Sequence, residues 1–161
     1  MPRQDNDSQE RERRFFEDVA ARGQIRVAAR ALNLHDDHVL LQRMAHSGSF
    51  WCFPGGELEL GEALEEGLRR ELIEETTLQI RTMVYRFAAN NRFEQGGARF
   101  HFVEHYFEVV PASIDVASLE AGHVLQWHPI TRIGSLDIRP WGVRDILALS
   151  GWRNIRLLEV E

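Results

Sequence analysis

The spacing of apolar residues shifts along this chain, and each shift outlines an element. Residues 25 to 34 (IRVAARALNL) and 38 to 43 (HVLLQR) carry aliphatic side chains at strand-like density. His35, Asp36 and Asp37 between them predict a turn joining antiparallel strands, with His35 and His38 as surface residues of the hairpin. After Gly61 the period lengthens. Leu64, Leu68 and Leu72 recur at every fourth position with no proline among them, which predicts a helix. Residues 78 to 88 and 99 to 110 return to strand patterns, with Tyr85 and Phe87 expected on one face. The polar stretch NNRFEQGG, 90 to 97, is expected as a loop between these paired strands. Residues 111 to 124 read as a connection and VLQWHPI, 124 to 130, as a further strand and turn. WGVRDILALSGW reads as an amphipathic helix packing through Val143, Ile146, Leu147 and the stretch 149 to 152. The tail IRLLEVE is expected as a strand that could pair with another chain, in a homodimer.

The N-terminus has no such pattern. Residues 1 to 14 (MPRQDNDSQERERR) are expected as a flexible arm, with Phe15 and Phe16 opening a short helix or docking segment of a single domain over 15 to 161. A chain of 161 residues can bury a sizeable core in one domain. No apolar run is long enough to span a membrane and no secretory signal is recognised, so a cytoplasmic protein is expected. One cysteine, Cys52, excludes an internal disulfide and a cysteine zinc cage, and its place between Trp51 and Phe53 points to packing.

Charge changes the picture at one place. Glutamates 57, 59, 62, 65, 66, 71, 74 and 75 against Arg69 and Arg70 give that segment a balance of 2 minus 8, or -6, equal to the -6 of the whole chain. The remainder is neutral, so the acidity is local and favours a cation partner. On a helical wheel Glu71, Glu74 and Glu75 share about a quarter of the circumference, beside the leucine stripe. They also sit in the last turn, where the helix dipole disfavours negative charge, and Glu71 and Glu75 repel at i, i+4. A divalent cation would reverse both penalties, and hard oxygen ligands suit Mg²⁺ or Mn²⁺. Gly67 is expected to leave room on that side. Arg70 can reach Glu66 or Glu74 and hold a carboxylate in place, and Glu62 is read as structural.

Pro54-Gly55-Gly56, five residues, Glu62, seven residues, then Arg70-Glu71-Leu72-Ile73-Glu74-Glu75 resembles the signature of the Nudix hydrolases. Thr77 stands where that family has a glycine. A β-branched residue would be strained in a left-handed cap, so the helix exit is expected to differ while every ligand carboxylate is kept. The resemblance implies an α/β fold, a Nudix-type α/β/α sandwich with a mixed β-sheet, over about residues 24 to 150. It implies a metal-dependent pyrophosphohydrolase that uses Mg²⁺ or Mn²⁺. The substrate would be a nucleoside diphosphate linked to another moiety, a small molecule, with no sign of nucleic-acid polymer binding.

The resemblance makes Glu71, Glu74, Glu75 and the Gly56 carbonyl the metal ligands, with Arg70 orienting Glu74. The general base is Glu71 or a glutamate in the loop before Trp127. Glu120 is the nearest match for the latter, and Asp115 and Glu104 are its rivals. Arg43, ending the second strand, is a candidate for a substrate phosphate. His101 and His105 share one side of a strand with Val103 and Phe107 and are read as packed or hydrogen-bonded, since a carboxylate site for Mg²⁺ does not need them. Asn90, Arg92 and Phe93 are candidates for a base or sugar pocket. Loops over 44 to 50, 89 to 98 and 111 to 123 are expected to shape specificity, and none of their side chains is diagnostic of a substrate. The alternative is a catalytically silent nucleotide-binding or regulatory protein of the same fold. Loss of a ligand glutamate would favour it, and none is lost.

Overall fold

Ala28, Ala29, Ala31, Leu32 and Asn33 are buried on both faces of one strand, as a central strand requires. That strand is β1 (Arg26–His35), and the other elements assemble around it. The computed structural model describes residues 3–44, 50–149 and 151–160. In chain order the remaining elements are α1 (Arg3–Arg22), before β1, then β2 (His38–Arg43), β3 (Gly55–Glu57), α2 (Leu64–Glu75), β4 (Ile80–Gln95), β5 (Ala98–Pro111) and β6 (Val124–Pro129). A 3-10 turn over Ile130–Ser135, α3 (Trp141–Leu147), a second 3-10 turn over Trp152–Asn154 and β7 (Leu157–Val160) complete the chain.

The strands form one mixed sheet in the order β6-β2-β1-β5-β4-β7, with β3 pairing to β1 beside β2. β1 runs parallel to β5 and antiparallel to β2 and β3, so it forks between two partners on one side. The sheet carries a core on each face. On one, Leu68 and Leu72 of α2 pack with Ala29, Ala31, Leu40, Leu78, Phe107 and Val109. The small side chains of Ala29 and Ala31 let the helix lie close, and each fully buried leucine contributes about 2 kcal/mol. On the other face Leu32, Phe53, Phe87 and Tyr106 meet Ile133, Val143 and Trp152. Helix, mixed sheet and helix is the layered arrangement expected from sequence.

Several expectations are corrected. The arm expected over 1 to 14 is helical from Arg3, so Phe15 and Phe16 continue α1. Its charges pair along the helix, with Arg13 bonded to Glu10 and Glu17 and Arg14 to Glu10. The expected loop over 90 to 97 is strand up to Gln95. β4 and β5 stay in register to Gln95 and Ala98, and the turn is Gly96 and Gly97 alone, both at positive φ (59° and 79°). Tyr85 and Phe87 do not share a face. A register shift between them turns Tyr85 toward Phe107 and leaves Phe87 stacked on Tyr106. The tail is a strand as expected, β7, and it pairs parallel with β4 of its own chain at the edge of the sheet. The loop expected over 44 to 49 lies, beyond Met44, outside the described residues.

The end of α2 accounts for Thr77. Thr76, not a left-handed residue, caps the helix in an extended conformation (φ -141°), and its hydroxyl donates to the Leu72 carbonyl at 2.6 Å. The Thr77 backbone N donates to the Ala117 carbonyl, and the Ala117 N donates to the Thr77 hydroxyl at 2.8 Å. Leu119 N donates to the Glu75 carbonyl at 2.7 Å. The orphan carbonyls that a glycine exit would satisfy locally are shared here with the loop over 112 to 123.

Glu108 on β5 accepts from Arg86 at 2.7 Å and from Arg153 at 2.8 Å, and these guanidiniums, Arg153 first, hold its carboxyl below the usual range. Its pKa is lower in the folded than in the unfolded chain. The stability it supplies is therefore complete above the ordinary value of about 4.5 and is lost as pH falls through the folded value. A Glu108→Gln variant is expected to melt below the wild type at about pH 7, the gap closing by about pH 3, in thermal unfolding followed across that range. A gap independent of pH would refute the assignment.

Candidate active site

The acidic residues of α2 do not act alike in three dimensions. Arg70 is the hub. Its Nε and Nη2 grip the Glu62 carboxylate at 2.8 and 3.1 Å, its Nη1 donates to Glu71 at 2.8 Å and Glu74 at 3.2 Å, and Nη2 also donates to the Glu57 carbonyl. Those carboxylates, Glu62 first and then Glu71, hold the guanidinium firmly protonated, and in return Arg70 depresses the Glu62 carboxyl. Glu62 also accepts from Glu59 N. Glu66, expected as an alternative partner of Arg70, instead accepts from Ala63 N at the start of the helix. Gly67 is not open space: a Cβ there would overlap Leu58 and Glu62.

Gly56 faces Glu71 directly. A methyl group on Gly56 would overlap the Glu71 carboxylate, so glycine is required for that carboxylate to lie this close to β3. Gly55 is required for another reason: its φ is +129°, and a Cβ there would meet the Ala29 carbonyl. Glu75, one turn beyond Glu71, is half-buried with its carboxylate at 3.3 Å from the Gln42 amide. Burial raises its pKa, and the nearby charges of Glu71 and Glu120 add to that. Gln42 in turn contacts His123 at 3.2 Å.

These groups close one end of a cavity of about 480 Å³ whose walls include Gly55, Gly56, Glu71, Glu75, Arg30 and Glu104. Arg30 and Glu104 pair in the interior at 3.1 Å, with side chains 15% and 6% exposed. Arg30 also donates to the Gly55 carbonyl at 2.7 Å, and the Tyr106 hydroxyl donates to Glu104 at 3.3 Å. Cys52 lines the same space. Burial pushes its thiol up to about 11, and it donates to the Gln42 carbonyl, a packed cysteine as expected.

Of the residues singled out from sequence, Gly56, Glu71, Glu75 and Glu104 converge on the cavity. Glu74 does not: its side chain is 59% exposed and turned to Arg70. Glu120 is exposed, close enough to Glu75 to act on it through charge, on the loop that Leu119 anchors to α2. Asp115 is exposed on the same loop and bonds Ser113 through its backbone. Arg43 is not part of the cavity wall; its guanidinium lies 5.0 Å from the centre of the Trp51 ring, while its neighbour Gln42 reaches Glu75. Phe93 lines the cavity, but with Asn91 and Gln95 rather than Asn90 and Arg92. Asn90 instead accepts from His101 Nε2 through its Oδ1 at 2.6 Å, and His105 meets the Tyr85 hydroxyl at 3.1 Å, so both histidines are hydrogen-bonded. Phe50, from a loop expected to shape specificity, and Phe15 and Phe16, expected as a docking segment, also line the cavity; Arg30, Arg139 and Trp141 line it and were not foreseen.

The donor set can be tested against a metal ion. Among the described residues no group of three His, Cys, Asp or Glu side chains is drawn together tightly enough to hold one. Glu71 and Glu75 nevertheless offer hard oxygens on one cavity wall, with Gly56 against Glu71, and the charge of Glu71, which adds to the burial that raises Glu75, is what a divalent cation would relieve. The chemistry fits, with Glu74 joining only on release from Arg70. No helix among the described residues is long and apolar enough to cross a membrane.

Known proteins share parts of this sequence and its fold. The chain is 43% identical over 51 residues to the NAD-capped RNA hydrolase NudC of Photorhabdus laumondii, which covers 31% of this chain and 20% of that protein. It is 44% identical over 48 residues to an 8-oxo-dGTP diphosphatase of Proteus vulgaris, covering 29% and 43%. The chain thus spans less than half the length of these curated relatives. Among solved structures the MutT mutator protein of Bacillus halodurans superposes with a TM-score of 0.67 at 20% identity, over 84% of this chain and 87% of that one, which shows the same fold. The model of the NUDIX domain matches residues 24–149. With the motif, the layered sheet and that match in agreement, the chain belongs to the NUDIX domain family.

Proposed function

We propose that the protein is a Nudix pyrophosphohydrolase that cleaves the diphosphate of a small nucleoside diphosphate derivative. The observation that carries this is Glu71 packed on Gly56 beside Glu75, at the acidic end of a cavity large enough for a small-molecule ligand. Nudix hydrolases generally use divalent ions, and both named relatives are hydrolases. Glu71, Glu75 and the Gly56 carbonyl, with Glu74, would hold Mg²⁺ or Mn²⁺, which when bound neutralises phosphoryl oxygens and acidifies water.

The chain's own groups do the positioning. Arg70 fixes Glu71 through one oxygen, and Gln42 orients Glu75. Arg139, on the cavity wall, is better placed than Arg43 to meet a substrate phosphate, while Arg30 is committed to Glu104 and the Gly55 carbonyl. Glu104 has both oxygens engaged, by Arg30 and Tyr106, and is poorly placed to take a proton. Glu120, exposed beside Glu75, is the better candidate for the base, with Glu71 second. A lone buried thiol accords with a reducing cytoplasm.

The test is a panel of nucleoside diphosphate derivatives assayed for phosphomonoester products with Mg²⁺ or Mn²⁺, then with chelator. At least one compound is expected to turn over, with activity lost on chelation and restored by added ion. Binding without turnover of any compound would sink the hydrolase reading.

A further inference from the structure

We infer that α1 is a wall of the substrate cavity, where Phe15 and Phe16 join Phe93 and Phe102 of the sheet in an aromatic lining that takes the flat base of a nucleotide. This rests on the reading of the acidic end as the phosphate-handling site. α1 precedes the residues matched by the NUDIX domain, 24–149, so its contribution is additional to that domain.

The helix is docked, not draped. Val19 is buried, and the Phe16 ring meets Phe100 edge-on at 5.2 Å and Phe93 at 6.1 Å. Phe15 lies 5.3 Å from Phe16. The Arg26 guanidinium sits 5.4 Å from the Phe15 ring and 4.9 Å from Phe102, bridging helix and sheet, while its Nε donates to Glu57 at 3.1 Å. Arg22 of α1 reaches the same Glu57 at 3.6 Å. Glu57 directly follows Gly56, the glycine that faces Glu71. The aromatic wall and the acidic end are therefore braced through one residue.

The chemistry of the lining selects the ligand. Phe15, Phe16, Phe93 and Phe102 line one space together with Asn91 and Gln95, while Phe93 is itself stacked on Phe100 at 5.0 Å. An amide both donates and accepts, which suits the edge of a heterocycle, and every base has a face that stacks on an aromatic ring. A purely aliphatic ligand would set hydrocarbon against the side chain of Asn91, a residue 9% exposed, where an amide calls for a polar neighbour.

The test uses the full-length protein and calorimetric titration with the common ribonucleoside monophosphates and with ribose 5-phosphate, which lacks a base. At least one nucleotide is expected to bind about tenfold more tightly than ribose 5-phosphate, and Phe15→Ala is expected to remove most of that margin. Phe15→Tyr should keep it, and affinity for ribose 5-phosphate should be equal in all. Circular dichroism reports whether Phe15→Ala folds; if it does not, Phe93→Leu in the same lining carries the same comparison. A wild type without the margin, or a margin unchanged by loss of the ring, overturns the inference. An intact, ring-dependent margin with no turnover of any diphosphate compound would sink the hydrolase reading and leave this one standing. Turnover with a margin indifferent to Phe15 would do the reverse.

Discussion

Alanine at Gly56 is expected to lower kcat/KM by about a hundredfold, because the added methyl occupies space now filled by the Glu71 carboxylate and must displace it by roughly 1 Å. The melting temperature should change little. The group in the way is the end of a side chain that can swing toward solvent, and Gly56 needs no left-handed backbone. Gly55→Ala is the informative contrast. There the obstacle is the Ala29 carbonyl in the central strand, the φ is +129°, and the fold itself should suffer. Steady-state kinetics on the best substrate of the panel, with thermal melts of both variants, separate the effects. A Gly56→Ala enzyme of normal activity would mean that the position of Glu71 is immaterial to catalysis.

Removing Arg30 is expected to destabilise the protein by about 3 to 5 kcal/mol, since Arg30→Ala leaves the Glu104 carboxylate buried without its cation. Burial alone would lower the Arg30 pKa, yet Glu104 beside it more than offsets that. A double replacement, Arg30→Met with Glu104→Leu, should recover most of the loss, because an apolar pair of similar volume needs no compensation. It should not recover activity. Arg30 is also the donor to the Gly55 carbonyl, and no methionine can restore that restraint on the glycine loop. Denaturant unfolding of both variants measures the first claim and turnover the second. A single variant as stable as wild type would show that the pair contributes little.

The two arguments draw on information of different kinds. The acidic helix was legible in sequence because its evidence is local: leucines at fourfold spacing, a signature string and carboxylates on one arc. The β1 and β2 hairpin and β6 were legible for the same reason. Arg30 and Glu104 were not, since 74 positions separate them and only the parallel pairing of β1 with β5 brings them together. Side choice on β2 also escaped sequence reading: alternation sends Gln42 toward Glu75, so the more conspicuous Arg43 goes elsewhere. The bulge that parts Tyr85 from Phe87 breaks the rule of two on which their shared face was inferred. Two misses had signals. The spacing of Glu10, Arg13, Arg14 and Glu17 is that of a salt-bridged helix, and Gly96-Gly97 is a two-residue hairpin turn.

The threonine exit of α2 sets where this loop can drift. A glycine exit would leave the following loop to change length without consequence for the helix. Here the backbone of Ala117 and Leu119 is bonded to Thr77 and Glu75, so an insertion between 117 and 119 would pull on the acidic turn itself. Latitude for new sequence is confined to exposed side chains such as those of Ser113 and Asp115, since Ala112 is bonded to Gln79 and Ile114 to Trp127, and 121 and 122 lie between Glu120 and His123.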